Sequence, residues 1–465
     1  MKLALLDRLF VGILLVIFAG IAIHAPLTVG LGTLFPDYSL VIKSWKEILM
    51  GVALLLAVVL LTTKRQWGIL KEKLIIYIAG FAGVTLILIP AFYQGFDATV
   101  AGLFIDLRFF LYFVLVYVAV KLYPQLVPLF VRVAVAGALS VVVFALLQLT
   151  VLPHDFLKHI GYGQSTIMPY LTVDENINYV RINSTLRGPN PLGAYAVIVL
   201  AGALAYGMSR LGKKVRKSEL TLILVLGLGS VVALWASYSR SAALAAAAAV
   251  GVVLIYMYGP QKLRGAGVAG AKVGKIIWIS LAATMLILAG SLVALKDTQF
   301  VSQVILHEDP SEGNNVNSND GHADSLADGF NRMVRQPLGA GIGSTGSASL
   351  MTEDSVIIEN HYLFVAHEAG WLGLALFLAV NYMVLQGLWK RRTNWLALGV
   401  FASGVGLAIA ALFLPVWADD TVAIIWWGLA AVCLAMPGVG AGAKGAAGPS
   451  GKAFAGKKQP VKRKA

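Results

Sequence analysis

The segment Glu359-Asn360-His361-Tyr362-Leu363 lies where a long polar stretch ends and a strongly apolar run begins. Glu368, Gly370 and Gly373 follow inside that run. Ionisable side chains at the mouth of an apolar helix are costly to desolvate, so they usually bind a substrate or transfer a proton. This boundary therefore predicts both a membrane helix and a candidate functional site.

Composition places the whole chain among integral membrane proteins. Hydrophobic residues make up 58% of the sequence, charged residues only 13%, and the mean hydropathy is +0.79. Apolar runs of about 18 to 25 residues, each long enough to cross a ~30 Å hydrocarbon core, recur along the chain. We expect an all-α fold of about twelve transmembrane helices in residues 1–436. They start near Leu9, Glu47, Leu74, Val100, Leu126, Pro191, Leu220, Ser241, Ile276, Tyr362, Trp395 and Thr421.

The distribution of basic residues predicts the orientation. With the N-terminus in the cytoplasm, 26 of the 37 Lys and Arg residues fall on the cytoplasmic side, against three acids, Asp7, Glu72 and Glu219. The positive-inside rule then puts both termini in the cytoplasm, with residues 437–465 as a disordered basic tail. The net charge of +14 therefore indicates topology and affinity for anionic lipids rather than nucleic-acid binding.

Residues 296–361 form the longest polar stretch, which this topology places outside the cytoplasm as one long loop. Within it, Leu326, Phe330 and Val334 recur at i, i+4 and i+8, which predicts a short amphipathic helix. The closely spaced glycines of Pro337–Gly343 should end that helix. The chain has one cysteine, Cys433, so a disulfide framework and a cysteine-based metal site are excluded, and we predict no metal or cofactor.

Arg181 and Arg187 precede a predicted helix start at Gly188-Pro189-Asn190-Pro191. Proline is favoured at the first helical position, and a helix N-terminus attracts anions. A guanidinium fixed beside it would suit a diphosphate. The alternative for both arginines is an interfacial anchor with a helix-capping role.

Further cations lie on the same expected side. Arg240 lies within a predicted tight turn at residues 237–241, and its small neighbours favour close helix packing and an inward role over contact with lipid phosphates. His322, Arg332 and Arg335 belong to the long loop, where solvated loop charge is the alternative interpretation.

Two further groups of ionisable residues remain. If both were helical, Glu359 and His361 would point about 200° apart, so only one could face a given pocket. Asp106, Arg108 and Arg132 lie inside predicted spans. Intramembrane Asp and Arg usually pair, either to hold helices together or to form the floor of a substrate cavity.

Four of these segments carry a family resemblance. They are Arg187–Gly193, Tyr238–Ser241, Pro337–Gly343, and the pattern of Asn360, Leu363, Glu368, Gly370 and Gly373. Taken in this order, over residues 180–390, the chain resembles the O-antigen ligase and O-antigen polymerase family of bacterial polysaccharide membrane proteins. The resemblance implies a metal-independent glycosyltransferase that takes a glycan from an undecaprenyl-diphosphate carrier, with arginines at the diphosphate and a histidine base.

The chain departs from the family at the base. The family's histidine corresponds here to Glu359, and its long-loop arginine corresponds to His322. A carboxylate can act as general base if apolar surroundings raise its pKa, or it can orient a histidine that accepts the proton. Glu359 and His322 are therefore the candidate catalytic pair, and His361 is the alternative candidate base. The candidate substrate-binding residues are Arg181, Arg187, Asn190, Arg240 and Arg335.

The leading expectation is a glycosyltransferase of the bacterial cytoplasmic (inner) membrane. It would transfer or polymerise undecaprenyl-diphosphate-linked oligosaccharide onto an acceptor glycan or glycolipid at the outer face. The alternative is a non-catalytic transporter or flippase of the same lipid-linked glycan. That class needs charged groups on both sides of the bilayer and broken helices in two related halves, whereas the ionisable groups here crowd on one side.

Overall fold

A computed structural model describes residues 4–173, 176–258 and 318–437, and helix makes up 76% of it. The helices, numbered along these residues, are α1 Leu5–Gly20, α2 His24–Leu34, α3 Ser39–Lys43, α4 Trp45–Thr63, α5 Lys73–Leu88, α6 Phe96–Leu122, α7 Val127–Thr150, α8 Pro189–Ser209, α9 Lys217–Ala236, α10 Arg240–Tyr258, α11 Ser318–Arg335, α12 Gly346–Ser349, α13 His361–Lys390, α14 Trp395–Ala410 and α15 Asp420–Ala435.

Within the described residues, eight helical segments are long and apolar enough to cross a membrane, which fits a multi-pass membrane protein. The first of them, Leu5–Leu34, joins α1 and α2. Three shorter apolar helices, α5, α14 and α15, correspond to further expected spans. The span expected near Ile276 and most of the basic tail lie outside the described residues. The predicted count of twelve is therefore not confirmed.

A two-stranded antiparallel sheet is an exception to the all-α expectation. Strand β1, Tyr170–Val173, pairs with β2, Asn176–Ile182. The buried residues that follow β2 are fixed to the helices: the Ser184 hydroxyl donates to the Val141 carbonyl at 2.7 Å, and the Thr185 hydroxyl to the Ala22 carbonyl at 2.6 Å. These bonds hold the chain entering α8, and with it Arg187, against the bundle.

The predicted amphipathic helix and its glycine-rich end are both confirmed. Helix α11 spans Ser318–Arg335 and stops before Pro337. Leu326 and Phe330 form part of an open groove of about 540 Å³ that α11 shares with the start of α13. The predicted close packing near Arg240 is also observed, because a Cβ on Gly193 of α8 would lie 2.7 Å from the Ala242 Cβ of α10.

Helix α13 is broken at Gly370, where φ is 67° and ψ is −171°. Residues Pro337–Gly343, which we call the glycine segment, fill the break. The Ala340 N–H donates to the His367 carbonyl at 2.6 Å, and the Trp371 N–H donates to the Pro337 carbonyl at 2.9 Å. A Cβ on Gly339 would lie 2.6 Å from the Gly370 nitrogen, so only glycine fits there. Backbone groups that the break releases are thus paired within the protein, as burial requires.

Three similar ion clusters lie on one face of the bundle, which we call the N-terminal face. In each, a carboxylate accepts a hydrogen bond from a tyrosine and pairs with a cation. The members are Asp7 with Tyr123 and Lys64, Glu72 with Tyr117 and Lys121, and Glu219 with Tyr206 and Arg210. Because the first cluster joins α1, the end of α4 and the end of α6, it fixes which helix ends share this face.

Candidate functional site

A cavity of about 370 Å³ opens on the face opposite the N-terminal face. Its wall includes Leu171 of β1, the start of α8, Gly346 and Ser347 of α12, residues 414–416, and Ala418 and Asp419. Arg187 and Asp419 are the ionisable side chains among its lining residues. We call this space the Arg187 cavity; within the described part of the chain, its lining contains one cation and one acid.

Arg187 occupies the mouth of the cavity, where its side chain is exposed. Its Nη2 donates to the Ser347 hydroxyl at 3.3 Å. Helix α8 begins at Pro189, as predicted, after an extended Gly188. Because Pro189 and Pro191 have no N–H, the helix start offers an anion fewer backbone donors than the sequence argument assumed. Anion binding here depends mainly on the guanidinium and the helix dipole.

Arg181 holds the cavity wall together. Its Nε donates to the Ser237 carbonyl at 2.9 Å and its Nη2 to Asn190 Oδ1 at 2.7 Å. These bonds join β2 to the turn between α9 and α10 and to the start of α8. Since the Asn190 oxygen is occupied, its NH₂ group is the end that can donate to a ligand in the cavity, which Asn190 lines.

The other predicted site residues lie outside the cavity lining. Arg240 is exposed at the start of α10, and Arg335 is exposed in the last turn of α11. His322 belongs to α11, but its side chain lies outside the described residues. The structure therefore brings Arg181, Arg187 and Asn190 together and does not add Arg240 or Arg335 to them.

Glu359 lies just outside helix α13. The N-cap is Asn360, whose side chain accepts from the Tyr362 and Leu363 N–H groups at 2.9 and 3.1 Å. Glu359 is half-buried between Ile358, which lines the Arg187 cavity, and Asn360, which lines the groove beside α11. The helical geometry that would set Glu359 opposite His361 therefore does not apply.

Asp419 is an acid of the cavity that the sequence argument missed. It caps α15, where its Oδ1 accepts from the Val422 N–H at 3.0 Å. Burial and the adjacent Asp420 raise the pKa of Asp419 to about 6, although Arg187 and Arg108 oppose the shift. A carboxyl with this pKa can exchange a proton near neutral pH. The signal was present in the sequence, since Asp419 and Asp420 stand at the mouth of an apolar run as Glu359 does.

A buried ion cluster surrounds the neighbouring Asp420. Its Oδ2 lies 3.0 Å from Lys46 Nζ and 3.1 Å from His24 Nε2. Trp45 Nε1 donates to His24 Nδ1 at 2.9 Å, and Lys46 Nζ lies 3.1 Å from His24 Nε2. Trp45, His24, Lys46 and Asp420 thus form one connected cluster at the starts of α2, α4 and α15.

Arg108 connects this cluster to the cavity. Its Nη1 lies 3.7 Å from Glu47 Oε1, and its Nη2 donates to the Ala418 carbonyl, next to Asp419, at 2.6 Å. Arg108 Nε and Glu47 Oε2 are buried and have no hydrogen-bond partner in the described part of the chain. Each such group costs about 1–3 kcal/mol. Unsatisfied charged groups beside a cavity are a common feature of functional sites.

The sequence led us to expect a pair between Asp106 and Arg108. In the structure, the Asp106 carboxyl group lies against that of Glu368 instead. Asp106 and Arg108 are two positions apart on α6 and so face different directions. The Asp106 and Glu368 carboxyl groups lie within hydrogen-bonding reach of each other, and such a bond would require one of them to carry the proton. Asp106 Oδ2 is buried without a hydrogen-bond partner among the described residues. Glu368 also accepts from the Gly343 N–H at 3.0 Å, so the glycine segment orients it.

His361 lies with this carboxyl pair, around a small enclosed void of about 10 Å³. The imidazole is buried, and neither ring nitrogen has a hydrogen-bond partner among the residues that the structure describes. Its ring stacks on Phe364 with centroids 5.6 Å apart. Phe364 lines both spaces and separates His361 from the Arg187 cavity.

Within the described ranges, no group of three or more His, Cys, Asp or Glu side chains is arranged to hold a metal ion. The site consists instead of an anion-binding arginine, a titratable acid and a buried ion cluster. Comparison of the sequence with protein families and with curated proteins finds no match.

Proposed function

We propose that the protein is a membrane glycosyltransferase that moves an oligosaccharide from an undecaprenyl-diphosphate carrier onto an acceptor sugar. The observation that carries the proposal is the Arg187 cavity, which combines one cation for a leaving diphosphate with one carboxyl group, Asp419, whose pKa is about 6. The resemblance of residues 180–390 to the O-antigen ligase and polymerase family supports the same reaction.

The donor half of the site would be Arg187, with the Asn190 amide and the Ser347 hydroxyl. Negative charge develops on the diphosphate as its bond to the anomeric carbon breaks, and a fixed guanidinium stabilises that charge. Arg181 acts as a positioning residue because its bonds hold Asn190 and the turn at Ser237. Arg240 and Arg335 remain proposed contacts for the rest of the donor.

The acceptor half needs a proton acceptor. As the acceptor hydroxyl oxygen bonds to the anomeric carbon, its proton passes to a carboxylate and undecaprenyl diphosphate leaves, so direct displacement inverts the configuration. Asp419 shares the cavity with Arg187 and is the candidate best placed for this role. Glu359, with His322, and His361 are the other candidate bases.

We assign the cavity to the outer face of the bacterial cytoplasmic membrane, with both termini in the cytoplasm. The N-terminal face carries Arg8, Lys64, Lys121 and Arg210, and the positive-inside rule makes this face cytoplasmic. Labelling of single cysteines with an impermeant thiol reagent tests the assignment. Reaction of a cysteine at position 347 only after the membrane is ruptured would overturn it.

The test of the function is product formation in cells that carry the matching polysaccharide locus. We expect Arg187→Ala to abolish the product, and Arg187→Lys to weaken turnover because an ammonium cannot replace the bidentate guanidinium. Arg65→Ala, an exposed arginine on the N-terminal face, is the control and should leave the product unchanged. Wild-type product from Arg187→Ala at equal protein level would refute the proposal.

One observation favours the transporter alternative. The Asp106–Glu368 pair lies deep in the bundle beside the break at Gly370, and broken helices with buried acids form ion-coupling sites in transporters. In that case, vesicles that contain the protein would move lipid-linked glycan across the bilayer without forming a glycosidic bond. Asp106→Asn would stop that movement, whereas Arg187→Ala would act mainly on affinity.

A further inference from the structure

A second and larger cavity, of about 720 Å³, lies near the N-terminal face between α7, α8 and α9. Its lining reaches from Arg210 and Arg216 at that face to Tyr195, which is a helical rise of about 22 Å along α8. Trp395 of α14 also lines this space, which we call the Trp395 cavity. Between these two ends, the cavity is lined mainly by apolar residues of α7, α8, α9 and α15.

The charges of the Trp395 cavity are concentrated at its mouth. Arg132, Arg210, Arg216 and Glu219 line it there. Arg210 is neutralised by Glu219, at 2.7 Å. Arg132 and Arg216 are exposed and form no ion pair with any described carboxylate. The mouth therefore carries two uncompensated positive charges above an apolar shaft.

We propose that the Trp395 cavity binds an anionic phospholipid, with the headgroup phosphate at Arg132 and Arg216 and one acyl chain in the shaft. An acyl chain fits a deep apolar space that opens at headgroup level, and basic pockets between transmembrane helices bind anionic headgroups. A zwitterionic lipid offers the same chain but no net charge to neutralise the two arginines. This site is on the opposite face from the Arg187 cavity and does not depend on the proposed function.

Trp395 makes the proposal measurable. The protein is reconstituted in nanodiscs that contain phosphatidylglycerol with brominated acyl chains, or phosphatidylcholine with the same brominated chains. The difference in fluorescence quenching between the wild type and Trp395→Phe isolates this one indole from the other tryptophans. We expect phosphatidylglycerol to quench Trp395 at about one tenth of the mole fraction that phosphatidylcholine needs.

Two variants test the two halves of the site. Arg132→Gln combined with Arg216→Gln should remove the roughly tenfold preference for phosphatidylglycerol. Gly202→Leu should reduce Trp395 quenching by both lipids, because Gly202 lines the cavity and a Cβ there would meet no atom of the described residues within 4 Å. The matched controls are Arg65→Gln on the same face and Gly51→Leu at an exposed position of α4. Both should leave the lipid preference and the Trp395 quenching unchanged.

Equal quenching of Trp395 by the two lipids in the wild type would overturn the assignment of an anionic headgroup. Absence of any quenching specific to Trp395 would overturn occupation of the cavity by a chain. These two results come from the wild type and Trp395→Phe, so the proposal stays testable if the arginine or glycine variants fail to fold. A preference that survives the double arginine variant would also contradict it.

Discussion

The two faces of the bundle treat ionisable groups in opposite ways. On the N-terminal face, Asp7, Glu72 and Glu219 each have a tyrosine hydroxyl and a cation as partners. The opposite face contains the Arg187 cavity, and we call it the cavity face. Charged and polar side chains are buried there with atoms that have no hydrogen-bond partner among the described residues, including Arg108 Nε and Glu47 Oε2.

The difference separates groups that hold helices together from groups that are available for chemistry. A carboxylate with two partners contributes to structure and has little capacity for a ligand. A buried ion with an unsatisfied atom costs stability, which a protein tolerates mainly where function requires it. The contrast therefore supports the proposed site on the cavity face without reference to any motif.

The largest expected effect is that of Asp419→Asn. If Asp419 is the base, its loss lowers the rate of glycosyl transfer by about 10²- to 10⁴-fold. The wild-type rate should rise with pH through about 6, because the carboxylate is the active form, and this dependence should vanish in the variant. Initial rates measured across that pH range with reconstituted protein provide the check.

Asp97→Asn, an exposed acid at the start of α6, is the control for that experiment and should behave as wild type. The competing assignment, in which Glu359 is the base, is tested with Glu359→Gln. If Glu359→Gln abolishes transfer while Asp419→Asn retains it, the base is Glu359 and Asp419 is only the cap of α15.

Gly339→Ala should be the most damaging change to the fold. Gly339 has φ of +83°, and an added Cβ would lie 2.8 Å from the Glu368 carbonyl oxygen as well as close to Gly370. Strain and overpacking together should lower the free energy of unfolding by roughly 2–5 kcal/mol. Thermal unfolding in detergent measures this loss.

Gly12→Ala is the matched control for Gly339→Ala, since Gly12 lies within α1 and an added Cβ would meet no atom within 4 Å in the part of the chain that the structure describes. It should stabilise the protein by about 0.5–1 kcal/mol. A midpoint for Gly339→Ala as high as that of the wild type would mean that the glycine segment does not pack into the break of α13 as described.

His361→Leu should separate the stability cost of the buried imidazole from any role that it has in catalysis. The change removes two buried ring nitrogens that have no partner among the described residues, so it should leave stability unchanged or raise it by about 1–3 kcal/mol. If His361 serves catalysis, activity falls although stability does not. Comparison of the thermal unfolding midpoint with the rate of glycosyl transfer detects this. A large loss of stability would instead contradict the absence of hydrogen bonds between this imidazole and the described residues.

The smallest effect should come from the N-terminal face. Tyr123→Phe removes the hydroxyl that donates to Asp7 at 2.6 Å, at a cost of about 0.5–1.5 kcal/mol. Transfer activity should not change, because the cluster is structural. Lower activity at unchanged stability would break the contrast between the faces.

Local sequence patterns predicted a helix start within residues 188–191, the turn at residues 237–241 and the end of α11 at the glycine segment, because each depends on neighbours in the chain. The pairing of Asp420 with Lys46 and His24, and of Asp106 with Glu368, could not be predicted. These partners are hundreds of residues apart, and their contact depends on how the helices pack. The sheet was missed although Asn176–Ile182 is rich in residues that favour strands.

The most direct test of the central claim uses purified protein in liposomes with undecaprenyl-diphosphate oligosaccharide and an acceptor glycan. Release of undecaprenyl diphosphate and formation of the glycosidic bond are followed together. We predict that the wild type produces both in equal amounts and that Arg187→Ala produces neither. Movement of the lipid-linked glycan across the bilayer without bond formation would contradict the assignment and identify a transporter.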